Sequence, residues 1–178
     1  MNRRLREVIG YAVGAILVWA ILPYGIYALS RLVDGLLALP AMLDSPTRLI
    51  IALPLAVLGI VFGLWSVIVQ RTMGHGGPVQ LGNVEISPKT RDLVVSGPYR
   101  YTRNPMLFGA VMIYLGFAIY LGSISAVLVV LVFAAFMLAV VVKSEERRLT
   151  RDFGEAYEEY RGKTSMFIPW RGRSGKKI

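Results

Sequence analysis

Long apolar runs alternate with polar connections along this chain, and the lengths of the runs predict membrane-spanning helices. Val8 to Leu29 contains 22 residues without a charge, and Leu49 to Val69 contains 21. A bilayer core about 30 Å thick is crossed by about 20 helical residues, so each run predicts one span. A third run, Met106 to Val142, has 37 residues. As one helix it would be about 55 Å long, which is too long for a single crossing.

The third run has one turn-like break, Gly122-Ser-Ile-Ser125, which predicts a tight helical hairpin. The fold class is therefore predicted to be all-α, a polytopic membrane protein built as a single domain over residues 1–178. About four transmembrane helices are expected, at about 8–29, 49–69, 106–122 and 125–142. Small residues inside spans usually serve helix packing, and this is the expected role of Gly59, Gly63, Gly109 and Gly116.

Basic residues are distributed unevenly about these spans. Four spans place both termini on one side, and 18 of the 20 Lys and Arg residues fall on that side, with Arg31 and Arg48 as exceptions. Because cytoplasmic loops are enriched in Lys and Arg, both termini are predicted to be cytoplasmic. The first apolar run is longer than a signal-peptide core of about 7 to 15 residues, so we expect it to be retained. The outer connection is expected over Ser30 to Arg48.

The composition indicates an integral membrane protein. Hydrophobic residues make up 55% of the chain and charged residues 17%, against about 25% charged in soluble domains. The absence of cysteine excludes thiol catalysis and disulfides, and a single histidine argues against a metal site. The net charge is +9, but most basic residues flank apolar segments and no basic, aromatic groove is visible. Nucleic acid is therefore not an expected partner.

An amphipathic helix is predicted after the fourth span, from Lys143 to Arg161. Its apolar face repeats at helical spacing and should rest on the cytoplasmic membrane surface or on the inner loop. The residues of that face are Leu149, Phe153, Tyr157 and Tyr160. The segment Phe167-Ile-Pro-Trp170 that follows is interpreted as an interfacial anchor.

Three polar patches are expected to meet at one membrane depth. They are the turn Gly74 to Pro78, the stretch Gly97 to Pro105, and Glu145-Glu146 at the end of the fourth span. Acidic groups beside a helix C-terminus oppose its dipole at a cost of roughly 0.3 to 1 kcal/mol each, which a bound cation would offset.

Three simpler interpretations of these patches stay open. The glutamates pair with arginines on their own helix, the glycines form a flexible turn, and Arg100 and Arg103 mark the headgroup level.

The order of three motifs resembles the isoprenylcysteine carboxyl methyltransferase and phospholipid N-methyltransferase family of integral membrane enzymes. The motifs are GHGGP from Gly74, GPYRYTRNPMLFG from Gly97, and EERRLTRDFGEAYEEYRGKTSMFIP from Glu145. The resemblance implies an S-adenosylmethionine-dependent methyltransferase whose catalytic part covers about 70–170 and whose active site is cytoplasmic. It also implies a membrane lipid or lipid-linked methyl acceptor as partner and S-adenosylhomocysteine as product.

The resemblance also assigns roles to residues. Arg103, Asn104 and Glu146 are the catalytic candidates. The cofactor-binding candidates are Gly74, His75, Gly76, Pro78, Gly97, Tyr99, Arg103, Asn104, Pro105, Glu145, Glu146, Tyr157 and Tyr160. The chemistry suits them, because the cofactor carries an ammonium that needs an acid and a carboxylate that needs arginine or backbone N–H. Consecutive residues of an ideal helix point about 100° apart, so one glutamate of the pair is expected to face the cofactor.

The acceptor is less well defined. Amine N-methylation of a phospholipid is the preferred activity, and carboxyl methylation of a prenylated cysteine is the alternative. Many prenylcysteine enzymes have histidine where this chain has Asn104, which favours the phospholipid interpretation. A protein of another class also fits, namely a non-catalytic membrane protein that binds anionic lipids through its basic residues.

Overall fold

The computed structural model describes residues 3–74 and 92–170, and these are helical apart from turns and short connections. The predicted all-α class is confirmed. No β-strand occurs in these two ranges, where the only extended pairing is a single parallel bridge between Thr102 and Ser165. The α-helices are α1 (Arg3–Ile16), α2 (Leu22–Leu37), α3 (Ser45–Met73), α4 (Pro105–Leu121), α5 (Ile124–Phe136), α6 (Lys143–Phe153) and α7 (Glu155–Lys163).

Helices α1 and α2 form one continuous rod through a π-helical turn, Leu17–Ile21. The prediction that the first span ends at Leu29 and that Ser30 begins the outer connection is wrong, because the helix continues to Leu37. The charge of Asp34 does not end the helix, since its carboxylate accepts a hydrogen bond from the Ser125 hydroxyl of α5. The connection is therefore only residues 38–44.

Helix α3 begins where Asp44 caps it, accepting a hydrogen bond from the Thr47 N–H at 3.3 Å. It packs closely on α4 because small residues face one another. A Cβ on Gly109 would lie 2.7 Å from the Gly59 carbonyl oxygen, and one on Gly116 would lie 2.8 Å from the Ala52 carbonyl oxygen. The packing role predicted for Gly59, Gly109 and Gly116 is confirmed. Gly63 contributes only its backbone, because no atom beyond the adjoining backbone of its own helix lies within 4 Å of where its Cβ would be.

Helix α4 begins at Pro105, where a missing N–H costs no hydrogen bond. It is joined to α5 by Gly122 and Ser123, whose hydroxyl accepts from the Ala126 N–H at 2.9 Å and so caps α5. Helix α5 then runs without interruption into α6 through a second π-helical turn, Met137–Val142. The predicted fourth span and the predicted amphipathic helix are thus parts of one rod.

The amphipathic helix predicted from Lys143 to Arg161 is not a single helix. It is broken at Gly154, whose φ of 53° and ψ of −129° lie in a backbone region that side chains disfavour. The chain turns there from α6 into α7. This turn, rather than a straight surface helix, positions the tyrosines of α7.

The core lies between α2, α4 and α5, where Ala118, Ala126 and Val130 are fully buried. Tyr114 is also buried, and its hydroxyl donates to the Val18 carbonyl at 2.9 Å in the first π-helical turn. Outward-facing leucine, isoleucine and valine side chains are exposed along the long helices, as expected where lipid covers them.

Three helical rods in the described ranges are long and apolar enough to cross a membrane: Ala12–Leu37, Ser45–Met73 and Ile124–Phe153. Helix α4 is also apolar but shorter, with 17 residues. The chain is an integral membrane protein with three to four helices able to span the bilayer.

Candidate functional site

A cavity of about 240 Å³ opens at one end of the helical bundle. Its polar wall comes from the segment before α4 and from α6 and α7. Its apolar wall includes Met106 and Leu107 at the start of α4, and Met137 and Val142 at the ends of the second π-helical turn. The cavity therefore lies where the lipid-facing helices meet the polar segments.

An ion pair crosses the polar wall. Arg103 Nη1 and Glu146 Oε1 are 2.5 Å apart, and the two side chains are only 10% and 14% exposed. The contact is ionic but not aligned as a hydrogen bond. Within the described ranges, four buried polar atoms here lack a hydrogen-bond partner: Nε and Nη1 of Arg103, Oε1 of Glu146 and the Tyr157 hydroxyl oxygen. Since buried polar groups are normally satisfied, these atoms are suited to a polar ligand.

Both glutamates of the pair line the cavity, with different partners. Glu145 Oε1 is 3.2 Å from Arg148 Nη2 and its side chain is 41% exposed, so this pair lies closer to solvent than the Arg103–Glu146 pair. The second π-helical turn ends one residue before Lys143, directly ahead of the two glutamates. π-helical turns frequently mark functional sites, because the added residue changes which side chains share a face.

Tyrosines cover the cavity from α7. Tyr157 is 1% exposed, and its ring stands edge-on to Tyr160 with centroids 6.1 Å apart. Tyr160 donates its hydroxyl to the Tyr99 carbonyl at 2.7 Å, and Tyr99 in turn donates to the Gln70 side-chain oxygen at 3.2 Å. These bonds tie α7 to the Gly97–Arg100 turn and to α3.

The same burial controls the ionisation of the tyrosines. Removal from water raises the pKa of Tyr99 and of Tyr160 well above the usual range. Burial, followed by the negative charge of Glu146, also raises the pKa of Tyr157. All three side chains are therefore neutral hydroxyl donors at physiological pH.

Asn104 lines the cavity, but its side-chain amide already has a protein partner. The amide nitrogen donates to the Met166 carbonyl at 2.8 Å, so the residue does not cap α4 with its side chain, as asparagine often does. Pro105 follows it in the cavity wall. The segment containing Met166 thus lies directly behind the catalytic candidates.

The glycine candidates lie beside the cavity rather than in its described lining. Gly74 ends α3, with its N–H donating to the Gln70 carbonyl at 2.9 Å. Gly97 has a φ of 60°, and a Cβ there would lie 2.8 Å from Val69 Cγ2, so it allows the turn to pack against α3. The candidates His75, Gly76 and Pro78 lie outside the described residues.

The structure also brings in residues that the sequence analysis did not select. Gln70 sits one helical turn before the end of α3, and Arg148 follows Glu145 by three residues. Spacing could have suggested Arg148, because side chains three apart on a helix are neighbours. Nothing in the local sequence marks Gln70, since its partner Tyr99 lies 29 residues further along the chain. The segment Phe167–Trp170 was interpreted as an anchor; Trp170 is 70% exposed, whereas Phe167 packs edge-on against Phe108 at 5.8 Å.

Comparison with known proteins agrees with this arrangement. The model of the phospholipid methyltransferase family matches residues 47–156, which is more than half of the 178-residue chain. The match begins in α3 and ends in α7 at residue 156, so it includes the described cavity wall up to Phe153 and stops just before Tyr157. No curated protein matches the chain. The extent of the family match shows that the chain belongs to the phospholipid methyltransferase family of membrane enzymes.

Proposed function

We propose that the protein transfers a methyl group from S-adenosylmethionine to the amine of a membrane phospholipid at the cytoplasmic face. The observation that carries this proposal is the buried Arg103–Glu146 pair on the cavity wall, three of whose polar atoms have no hydrogen-bond partner in the described ranges. Catalytic roles for Arg103, Asn104 and Glu146 are part of the proposal.

The residues present fit the methionine end of this cofactor. Arg103 Nε is a buried donor without a hydrogen-bond partner in the described ranges, which suits the carboxylate of the cofactor. The Glu146 carboxylate, paired with Arg103 Nη1, suits its ammonium. The Tyr157 hydroxyl adds a neutral donor, and its ring can face a cation. Sites for drug-sized ligands measure roughly 300 to 1,000 Å³, so a cavity of 240 Å³ suits part of such a ligand. When bound, the cofactor supplies an electrophilic methyl group on a sulfonium.

The apolar wall supports a lipid acceptor. Met106 and Leu107 of the apolar helix α4 line the cavity, as does Met137 of the membrane-length rod Ile124–Phe153. A phospholipid could therefore keep its acyl chains in the membrane while its headgroup enters the polar half. The apolar wall also excludes water, and holding the amine in line with the methyl group supplies much of the rate in such a displacement.

Amine methylation releases a proton, and the tyrosines are poor acceptors for it. Their raised pKa values keep Tyr99 and Tyr160 protonated, so they contribute hydrogen bonds rather than negative charge. The carboxylates of Glu145 and Glu146 on the cavity wall, with that of Asp92, are acidic groups that can hold a proton or a cation.

The cytoplasmic location follows from the charge distribution. Helices α6 and α7, which line the cavity, carry six Lys and Arg residues, and positive charge favours the cytoplasmic side. A cysteine introduced by Lys163→Cys should react with an impermeant thiol reagent only after the cytoplasmic face is exposed. Labelling from outside intact cells would overturn this orientation.

The reaction is tested by following labelled methyl transfer from S-adenosylmethionine into phosphatidylethanolamine and into a farnesylcysteine analogue. Glu146→Gln is the test variant, and Glu159→Gln is its control because Glu159 is 68% exposed and pairs with Lys163. We expect label in the phospholipid with the wild type and the control, and little with Glu146→Gln. Label in the farnesylcysteine analogue alone would establish the carboxyl-methylating alternative. No transfer to either acceptor, with lipid binding that weakens in salt, would favour the non-catalytic lipid-binding protein.

A further inference from the structure

The segment Thr164–Trp170, here called the strap, runs beside the catalytic candidates and is bound to them through the backbone. The Arg103 N–H donates to the Ser165 carbonyl at 2.8 Å, and the Trp170 N–H donates to the Tyr101 carbonyl at 2.9 Å. These bonds flank the parallel bridge between Thr102 and Ser165. The strap therefore fixes the chain on both sides of Thr102.

Thr102 is the residue through which the strap and the catalytic stretch are joined. It is fully buried, with 0% exposure. Its hydroxyl donates to the Met166 carbonyl at 3.3 Å and accepts from the Asn104 N–H at 3.2 Å. The same Met166 carbonyl accepts from the Asn104 amide at 2.8 Å. One hydroxyl thus bonds both to the strap and to the Asn104 backbone N–H, and its loss removes both bonds.

Arg103 lies between these two anchored residues. Its backbone N–H is held by the strap, and its neighbours Thr102 and Asn104 share one carbonyl of the strap. The direction in which its side chain leaves the backbone is therefore fixed before any ligand binds. A group held in this way loses less conformational freedom on binding, so binding is tighter.

We propose that Thr102 is a positioning residue, which together with the strap aims the Arg103 guanidinium at Glu146 and at the ligand. Thr102 is not part of the described cavity wall, so it acts through Arg103 rather than on the ligand. The role rests on the proposed function, since the ligand in question is the carboxylate of S-adenosylmethionine.

The test compares Thr102→Val, which keeps the shape but removes the hydroxyl, with Thr102→Ser, which keeps the hydroxyl. Affinity for S-adenosylhomocysteine is measured by calorimetric titration of the full-length protein in lipid–detergent micelles. Loss of the hydroxyl should lower the affinity about three- to tenfold, the equivalent of about one hydrogen bond. Thr102→Ser should bind within about twofold of wild type, because its hydroxyl can replace both bonds.

Two further readouts separate positioning from general destabilisation. Amide hydrogen exchange without ligand should be faster in Thr102→Val for the peptides that contain Arg103 and Trp170, and near wild type in Thr102→Ser. Ser125→Ala is the control, since it removes a buried hydroxyl that bonds to Asp34 and to the Ser30 carbonyl, far from the cavity. It should lower thermal stability without changing the affinity.

Wild-type affinity in Thr102→Val would overturn the positioning role, as would an equal loss of affinity in Ser125→Ala. If the wild type itself fails to bind S-adenosylhomocysteine, the proposed function is wrong. The exchange rates then decide alone whether Thr102 fixes the backbone of Arg103.

Discussion

Breaking the Arg103–Glu146 pair separates the contribution of these side chains to stability from their contribution to binding. Glu146→Gln removes the negative charge and leaves the Arg103 guanidinium buried without its counter-ion. Both side chains are nearly inaccessible, at 10% and 14% exposed, so water cannot replace the lost partner. The pair therefore behaves as a buried rather than a surface ion pair.

The expected magnitude follows from this burial. Removal of one partner from a fully buried pair costs about 3 to 5 kcal/mol, because an uncompensated charge remains. Glutamine can still accept a hydrogen bond from Arg103, so we expect Glu146→Gln to lower the free energy of unfolding by about 2 to 3 kcal/mol. Replacing both partners by apolar residues of similar size is often close to neutral, so Arg103→Met combined with Glu146→Leu should recover most of the loss.

The assay is equilibrium unfolding in mixed detergent micelles, with S-adenosylhomocysteine binding measured on the same preparations. Stability should fall in Arg103→Met and in Glu146→Leu and recover in the double variant, with a coupling energy of about 1 to 3 kcal/mol. Binding should be lost in all three variants, because the double variant lacks both charges that recognise the ligand.

Two results would refute this reasoning. Additive losses of stability would show that the two side chains are not coupled in the membrane-bound protein. Binding by the well-folded double variant would show that the pair is structural and that the cofactor site lies elsewhere.

Three further perturbations test the surrounding structure. Gly154→Ala should lower the free energy of unfolding by about 1 to 3 kcal/mol and reduce activity, because a side chain at a φ of 53° is strained and would misalign α7. Gly162→Ala within α7 is the control and should be neutral or slightly stabilising, and unfolding and activity assays check both variants. Gly109→Ala should lower the free energy of unfolding by about 1 to 3 kcal/mol, since its Cβ would lie 2.7 Å from the Gly59 carbonyl oxygen. Gly63→Ala should change it by under about 0.5 kcal/mol, and equal effects of the two variants would contradict the α3–α4 packing. Burial raises the pKa of Tyr99 and Tyr160, so these side chains lose their protons at a lower pH in the unfolded chain than in the folded protein, and stability should fall as the pH rises above about 10. In an absorbance titration, Tyr99→Phe combined with Tyr160→Phe should leave the tyrosinate signal below that pH unchanged. A smaller tyrosinate signal near pH 9 in this double variant would contradict the prediction.

The membrane class and the helices were predictable because apolar runs of span length have few alternative structures. The break before Ile124 was also visible, since glycine and serine interrupt an otherwise unbroken apolar run. The end of the first rod at Leu37 was not predictable from the sequence. Asp34 interrupts the apolar pattern, and the Ser125 hydroxyl that satisfies it lies 91 residues away in sequence.

The polar half of the cavity was predictable in part. Acidic groups beside a helix C-terminus are costly, which marked Glu145 and Glu146, and the family resemblance selected Arg103. The structure places Arg103 and Glu146 in contact. The prediction that they bind the cofactor remains a prediction. The break at Gly154 was not foreseen, because helical spacing continues across it and keeps Phe153 and Tyr157 on the cavity wall.

Thr102 could not have been selected from the sequence. It is one hydroxyl residue among several polar ones, and its role depends on a carbonyl 64 residues later. Asn104 was selected through the family resemblance, but the bond of its amide to that same carbonyl was not foreseen. Positioning contacts of this kind arise from tertiary packing, which local patterns do not encode.

The decisive experiment is calorimetric titration of S-adenosylhomocysteine into the lipid-supplemented protein, with Glu146→Gln measured beside the wild type. We expect saturable binding at one site in the wild type and its loss in a Glu146→Gln protein that is still folded. Absence of saturable binding to folded wild type, or equal affinity in the variant, would contradict the assignment of the cofactor to the Arg103–Glu146 cavity.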